Sequence, residues 1–347
     1  MNNISVPDSI QGRGLVWHYT TLETLQYILE SGALLATEVS YQNDPREPDT
    51  GSNAVRAALN QLRLNSAYEA FSREALRWHK EWDNHFGFIG GRSGELVGRS
   101  RFIFCASSDP DNLYAWRTYA AGSRTGCAIG FDPTRPLGLV DEQGSASSVE
   151  LSQWSDVIYE PDELLQLSIG KLKTVGDAWN AERQQDMADV EAQEAQGISN
   201  EMLQNPDAAF AVLLTDFAKA TAEITAVGKH QSFRDEHETR ITISGTSSGI
   251  VFSPGVDGPR PRVRIATNSR WGEVIKTAAS PLPIRALVLA PDARTDALTT
   301  AQWLLHANGY PLDPVTTIDE RGPEPYLFAD STRTVDIYRS SHPYRNV

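Results

Sequence analysis

The segment 233–241, FRDEHETRI, carries two glutamates and an arginine at alternate positions. We predict that it enters a strand covering 236–244. Side chains on a strand alternate between its faces, so Glu236, Glu238 and Arg240 are expected to share one face. Two carboxylates on one face suit group transfer at a glycosidic carbon: one holds a ribose hydroxyl and stabilises positive charge on the sugar, and the other orients or deprotonates the nucleophile. The alternative is a solvated, charged strand face with a cross-strand ion pair.

A histidine, His18, stands at the end of the first predicted strand, 14–18, and directly precedes Tyr19 and Thr20. Strand ends that lead into a helix commonly carry ligand contacts. A lone histidine beside a tyrosine and a threonine is also found as a hydrogen-bonded core residue, and both interpretations stay open. The other histidines show no metal-ligand spacing with cysteines or carboxylates, so we predict no metal site.

The third candidate segment runs from Ser107 to Ala120 and is rich in aromatic residues. Trp116 and Tyr119 lie three apart on one face of a short predicted helix, 111–121. Such residues either pack in the core or form a platform for a flat ring such as nicotinamide. Core packing is expected for Trp116, whereas both interpretations stay open for Tyr114 and Tyr119.

These segments need a scaffold, and the hydrophobic pattern predicts an α+β chain without a Gly-rich dinucleotide motif or a P-loop. We interpret the stretch at about 160–227 as a helical insertion in a single domain spanning 1–347. The predicted strands cover 14–18, 33–39, 101–107, 126–132, 236–244, 250–253, 262–267, 284–290 and 334–338. Further helices are predicted after the first strand, within 50–95, and at 111–121 and 299–308.

Composition favours a folded, cytoplasmic protein, because 40% of the 347 residues are hydrophobic and 22% are charged. We expect no membrane contact, since no leader pattern or membrane-length apolar run occurs. Cys105 and Cys127 lie in apolar runs and are expected to be reduced core thiols. A formal charge of −14 disfavours tight nucleic-acid binding. The alternating Arg260, Arg262 and Arg264 nevertheless keep a local contact with RNA open.

Taken together, these motifs resemble the bacterial family catalogued as domain of unknown function 2971. The stretch 160–227 has no counterpart in the family pattern, and Arg46 stands where an aromatic residue is commoner. The resemblance is carried, in the family's order, by His18–Thr21, Gly32 at the end of a helix, Ser40–Pro45, Asp111–Ala120, Gly126–Asp132, Lys229–Arg240 and the tail Pro343–Arg345.

That family is in turn similar to the ADP-ribosyltransferase fold, which implies a split mixed β-sheet core with helical insertions. In that fold a first-strand histidine contacts the adenosine ribose, a tyrosine stacks on nicotinamide, and a late-strand glutamate is catalytic. The resemblance implies these roles for His18, for Tyr119 or Tyr114, and for Glu238, with Glu236 helping to select the acceptor. The contacts that it implies with NAD⁺ come from His18, Tyr19, Thr20, Ser107, Tyr114, Tyr119 and Arg240.

The resemblance therefore implies an NAD-dependent ADP-ribosyltransferase that modifies a macromolecular acceptor, either protein or RNA. We expect a bacterial toxin or anti-phage defence effector that an antitoxin or chaperone holds silent. One alternative is a module that binds a nucleotide or a protein partner without turnover. Another is an NAD glycohydrolase, in which water takes the place of the acceptor.

Overall fold

The computed structural model describes residues 14–42, 47–86, 101–120, 124–141, 151, 153–194, 206–244, 249–255, 258–267, 282–310, 335–340 and 342. The Asn43-Asp44-Pro45 turn, Arg46 and the tail Pro343–Arg345 lie outside these residues. The chain forms two compact units. The first comprises Met1–Gln42, Val97–Asp156 and Arg234–Val347, and the second comprises Asn43–Leu96 and Val157–Phe233.

Regular structure follows the predicted order closely. The strands are β1 (Val16–Thr21), β2 (Leu34–Glu38), β3 (Arg101–Ser107), β4 (Gly126–Phe131), β5 (Leu137–Val140), β6 (Ser155–Asp156), β7 (Glu238–Ser244), β8 (Ile250–Ser253), β9 (Arg260–Thr267), β10 (Ile284–Leu289) and β11 (Asp336–Arg339). The helices are α1 (Leu22–Ser31), α2 (Glu47–Leu62), α3 (Glu69–Phe86), α4 (Leu113–Tyr119), α5 (Pro161–Glu194), α6 (Pro206–Val227) and α7 (Ala297–Ala307). Short 3₁₀ helices cover Val39–Tyr41 and Gln231–Glu236.

The described strands form one mixed, eleven-stranded sheet in the first unit. Its main order is β11-β10-β4-β1-β3-β2-β9-β5, with β7 and β6 attached through β3 and β8 attached to β9. The β10–β11 pair is parallel, and the pairs that join β3 and β4 to their neighbours are antiparallel. The predicted α+β class with a mixed sheet is therefore confirmed.

The sheet divides at β3. One edge of β3 pairs with β7 over its whole length. The other edge pairs with β1 at Ser107–Trp17 and with β2 at Phe102 and Ile103. Two arms thus leave the same edge of β3: a first arm of β1, β4, β10 and β11, and a second arm of β2 and β9 with β5 and β8. Residues 104–106 of β3 face the gap where the arms part.

Helix α1 fixes the direction in which the chain leaves β1. The sequence allows a cap by Thr20 or by Thr21, and the Thr21 hydroxyl caps the helix by accepting a hydrogen bond from the Thr24 backbone N–H. Gly32 ends it in the left-handed conformation at φ 61°, which costs glycine little. The buried face is apolar and consists of Leu22, Leu25, Ile28 and Leu29.

Glycines in β4 let neighbouring residues pack closely on the first arm. A Cβ on Gly126 would lie 2.8 Å from the Ala120 Cβ at the end of α4, and one on Gly130 would lie 2.7 Å from the ring of Trp17, its partner on β1. Trp116 is almost fully buried and meets Tyr19 edge-on, with ring centroids 4.7 Å apart. The prediction that Trp116 packs in the core is confirmed.

The second unit is helical and has its own hydrophobic core. The predicted helical stretch at 160–227 forms α5 and α6, whose buried residues share one core with those of α2 and α3. Phe71, Trp179 and Phe217 are among its most buried side chains. Within the described ranges, no helix has the length and apolar character that crossing a membrane requires.

Candidate functional site

Two buried glutamates stand where the chain enters β7. Glu236 ends the 3₁₀ helix Gln231–Glu236, and Glu238 begins the strand. His237, between them, has a φ of 47°, a left-handed conformation that is uncommon outside glycine. The prediction that the strand starts at 236 is therefore wrong by two residues, and strand alternation does not relate Glu236 to Glu238. Both glutamates are nevertheless buried, with exposures of 5% and 6%.

The segment after β3 holds this turn in place. The Ser107 hydroxyl donates to the Glu236 carbonyl (2.9 Å). The Ser108 backbone N–H donates to the His237 carbonyl (2.8 Å), and the Asn112 side-chain amide donates to the Asp235 carbonyl (2.6 Å). Ser107, a predicted cofactor contact, is thus buried and supports the backbone that carries both glutamates.

Glu238 and Arg240 form a buried, bidentate ion pair. Arg240 donates through Nε to Oε1 (3.0 Å) and through Nη2 to Oε2 (2.8 Å) of Glu238. Their side chains are only 5% and 1% exposed. The expected same-face placement of these two residues is confirmed, but the face is buried rather than solvated. The two parallel hydrogen bonds fix the orientation of the Glu238 carboxylate.

Tyr119 places an exposed aromatic ring beside Glu236. Its hydroxyl donates to Oε1 of Glu236 (3.0 Å), while the residue stays 40% exposed. Tyr114, at 36%, is exposed to a similar extent. Of the two tyrosines that the sequence leaves open, Tyr119 is the one with a hydrogen bond to a candidate catalytic carboxylate. Its exposed ring is able to stack on a flat ligand ring.

Tyr19 and Thr20, two further predicted cofactor contacts, have buried side chains. The Tyr19 hydroxyl donates to the Asp109 carbonyl and accepts from the Asn112 N–H, both at 2.7 Å. Burial raises the pKa of Tyr19 well above its ordinary value, so the phenol stays protonated and keeps its donor. Tyr19 therefore positions the loop that leads into α4.

His18 lies in the gap between the two arms of the sheet. Its Nδ1 is 2.9 Å from the Cys105 carbonyl, and its ring lies 4.6 Å from that of Phe104. A carbonyl only accepts hydrogen bonds, so Nδ1 carries the proton and Nε2 is left as an acceptor. Burial lowers the pKa of His18, and the nearby charge of Arg262 lowers it further. The ring is therefore neutral at pH 7.

The predicted site residues lie at the same end of β3, but they do not all contact one another. Trp17, Ser107 and Glu238 are in register across three adjacent strands, so their side chains share one face. His18 follows Trp17 and turns the other way, onto Phe104. Among the described residues, neither glutamate contacts His18. A ligand that joins them must extend past the edge of β3.

The sequence did not place two further residues, Asn112 and Arg262, beside this site. Asn112 caps α4 through its side-chain oxygen and also holds the turn before β7. The position of Asn112 just ahead of a short helix predicts the cap, but it does not predict the hydrogen bond to the Asp235 carbonyl. Arg262 lies near His18 only because β9 and β1 belong to the two arms that part at β3. No local sequence signal encodes that proximity.

No group of three or more potential metal ligands occurs in the described ranges. Among protein families, residues 115–241 match the one described as protein of unknown function (DUF2971), which supports the family identified from the motifs. The matched segment includes Tyr119, Glu236, Glu238 and Arg240. No curated protein and no solved structure matches the chain, so the resemblance to ADP-ribosyltransferases has no support from a structural neighbour.

Proposed function

Starting from the DUF2971 match of residues 115–241, we propose that this protein transfers ADP-ribose from NAD⁺ to a macromolecular acceptor. The observation that carries the proposal is the grouping at the end of β3: two buried carboxylates, with the half-exposed ring of Tyr119 hydrogen-bonded to one of them. NAD⁺ would supply a ribose carbon bonded to nicotinamide, a good leaving group.

The donor and acceptor atoms of the site fit a dinucleotide. Nε2 of His18 would accept a hydrogen bond from a ribose hydroxyl, and the ring of Tyr119 would stack on nicotinamide. Glu238 would accept from the second ribose, and its negative charge would stabilise the positive charge that develops on that sugar. Because His18 and Glu238 do not touch, the ligand must be long, as a dinucleotide is.

The remaining groups have supporting roles in this scheme. Arg240 is a positioning residue, since its two hydrogen bonds fix the carboxylate of Glu238. Glu236 would take the proton of the attacking hydroxyl or amine as the new bond to the ribose carbon forms and the bond to nicotinamide breaks. Tyr119 holds the carboxylate of Glu236 in place for that step.

The test is to incubate the purified, folded chain with adenylate-labelled NAD⁺ and a bacterial lysate. Free nicotinamide and label on protein and RNA are then measured. We expect both signals with wild type, and loss of transfer with Glu236→Gln, in which the amide oxygen can still accept from Tyr119. Nicotinamide release without labelled macromolecules would indicate a glycohydrolase. Neither signal from folded protein would refute the proposal.

Binding without turnover is a second candidate, favoured by the engagement of both Glu238 oxygens with Arg240. Calorimetry separates the two functions: a pure binding module would bind NAD⁺ equally well as wild type and as Glu236→Gln, and neither would release nicotinamide. We further propose that the enzyme acts in the cytoplasm as a toxin or defence effector. Controlled expression would then slow growth with wild type and not with Glu236→Gln.

A further inference from the structure

Three arginines form a row on one face of β9. Arg260, Arg262 and Arg264 alternate along the strand, and Val263 and Ile265, which point to the opposite face, are fully buried. Neighbouring members are about 6.6 Å apart along the strand, so the row spans about 13 Å. Each of the three is half-buried. We call them the arginine row.

The arginine row has no acidic partners on the adjoining strands at Arg262 and Arg264. Arg262 pairs with Thr37 of β2 and Val251 of β8, and Arg264 pairs with Leu35 of β2 and Val140 of β5. Residues opposite one another in a pair point to the same face. The positions beside these two arginines are therefore occupied by neutral side chains.

Elsewhere among the residues that the structure describes, the guanidinium groups of Arg262 and Arg264 also lack partners. Their Nε atoms are buried without a hydrogen bond, and no ion pair of either residue occurs in the described part of the chain. Burial lowers the pKa of Arg262, and the charge of Arg260 lowers it further. Burying such charges side by side costs free energy, and a bound anion would offset this cost.

The shape of the row selects the anion. Guanidinium groups bind phosphate oxygens in a bidentate manner. A straight row of regularly spaced arginines fits successive phosphates along a strand better than one isolated phosphate. Enzymes that modify nucleotides need the target group out of the duplex, which favours a single strand.

We infer that the arginine row holds the phosphate backbone of a single-stranded nucleic acid. This inference rests on the proposed function, because it makes that strand the acceptor of ADP-ribose. The location agrees, since Arg262 lies near His18. The overall charge of −14 opposes a polyanion, so binding should be weak and strongly dependent on salt.

The test is fluorescence anisotropy with fluorescein-labelled oligo(A) RNA and oligo(dA) DNA, measured at several salt concentrations. With three phosphate contacts, the slope of log K against log salt should be about −2, and losing one arginine should reduce its magnitude by about 0.7. Arg260→Ala and Arg264→Ala are the test variants. Arg73→Ala is the charge-matched control, because Arg73 lies on α3 and its side chain is 66% exposed.

Thermal melting is used to check that each variant folds. If Arg264→Ala does not fold, Arg260→Ala still tests the inference. Equal loss of binding in Arg73→Ala, or no binding by wild type at low salt, would overturn the inference. Complete displacement of the oligonucleotide by NAD⁺ would also overturn it, because the row would then hold the dinucleotide. RNA bound more tightly than DNA would support an RNA acceptor, and the reverse a DNA acceptor.

The proposed transfer of ADP-ribose and the inferred nucleic-acid site can be refuted independently of each other. Glu236→Gln should lose ADP-ribose transfer and still bind the oligonucleotide. If wild type releases nicotinamide but does not bind the oligonucleotide, only the inference about the acceptor falls. If wild type binds the oligonucleotide through the row but never consumes NAD⁺, the proposed enzymatic function falls and a nucleic-acid site remains.

Discussion

Replacing Glu238 by Gln should destabilise the fold severely, whatever its effect on activity. The carboxylate receives two charge-assisted hydrogen bonds from Arg240, and both side chains are almost completely buried. The substituted amide would lack the negative charge, and Arg240 would become a buried charge without its counter-ion. Breaking a buried pair in this way costs about 3–5 kcal/mol.

The assays are unfolding in urea, which gives the free energies for a double-mutant cycle on the pair, and thermal melting. For a domain of ordinary size, 1 kcal/mol shifts the melting temperature by about 2–4 °C, so Glu238→Gln should melt on the order of 6–20 °C below wild type. The double variant Glu238→Met with Arg240→Met removes both charges. It should be more stable than either single variant, because apolar side chains replace buried ion pairs at little cost.

A loss below about 1 kcal/mol in Glu238→Gln would refute the reasoning, since exposed ion pairs contribute that little. So would a double variant as unstable as the sum of the two single variants, because the residues would then be energetically independent. The expected result has a practical consequence: inactivity of a Glu238 variant, or loss of its toxicity, does not by itself establish catalysis. Glu236→Gln, which keeps an acceptor for Tyr119, is the cleaner probe.

Three further predictions follow from local contacts. Because the pKa of His18 is lowered in the folded protein, the histidine takes up a proton at higher pH in the unfolded chain than in the folded one. The free energy of unfolding should therefore fall as the pH drops below about 6.5. Between pH 7.5 and 5.5, the urea midpoint should fall more steeply in wild type than in His18→Gln. Gly130→Ala, with its Cβ 2.7 Å from Trp17, should cost about 1–3 kcal/mol in urea unfolding, whereas Gly170→Ala in α5, which has open space, should not destabilise. Burial raises the pKa of Cys127, so its thiol should react with Ellman's reagent only after unfolding; because the second thiol, Cys105, is only half-buried, fast labelling of a native Cys105→Ser variant is the result that would contradict this.

Local patterns predicted the elements that position the site. The threonine cap, the helix-ending Gly32 and the short apolar runs of β3 and β4 are short-range signals, and the corresponding elements lie where they were expected. Strands β5 and β6, which are four and two residues long, were missed. Such segments form through pairing with β9 and β7, which the sequence does not display.

The geometry of the site was less predictable because it depends on single backbone conformations and on distant contacts. Nothing in FRDEHETRI shows that His237 adopts a positive φ, which removes Glu236 from the strand. The hydrogen bonds from Ser107 and Asn112 that hold this turn join parts of the chain far apart in sequence. Tyr19, a predicted ligand contact, also satisfies backbone groups of a loop, a role that only the folded chain reveals.

Strand register and ion pairing together distinguish an arginine with a structural role, Arg240, from the arginines that we propose bind a ligand. The register through β7, β3, β2 and β9 places Arg240, Arg262 and Arg264 on the same face. Arg240 is the most buried of the three, and Glu238 compensates its charge fully within the strand. Arg262 and Arg264 retain more exposure and lack such a carboxylate among the described residues. If Arg264 only supported the fold, replacing it by Met, which keeps the apolar stem, should leave oligonucleotide binding unchanged; if it holds phosphate, the same change should weaken oligonucleotide binding without lowering stability.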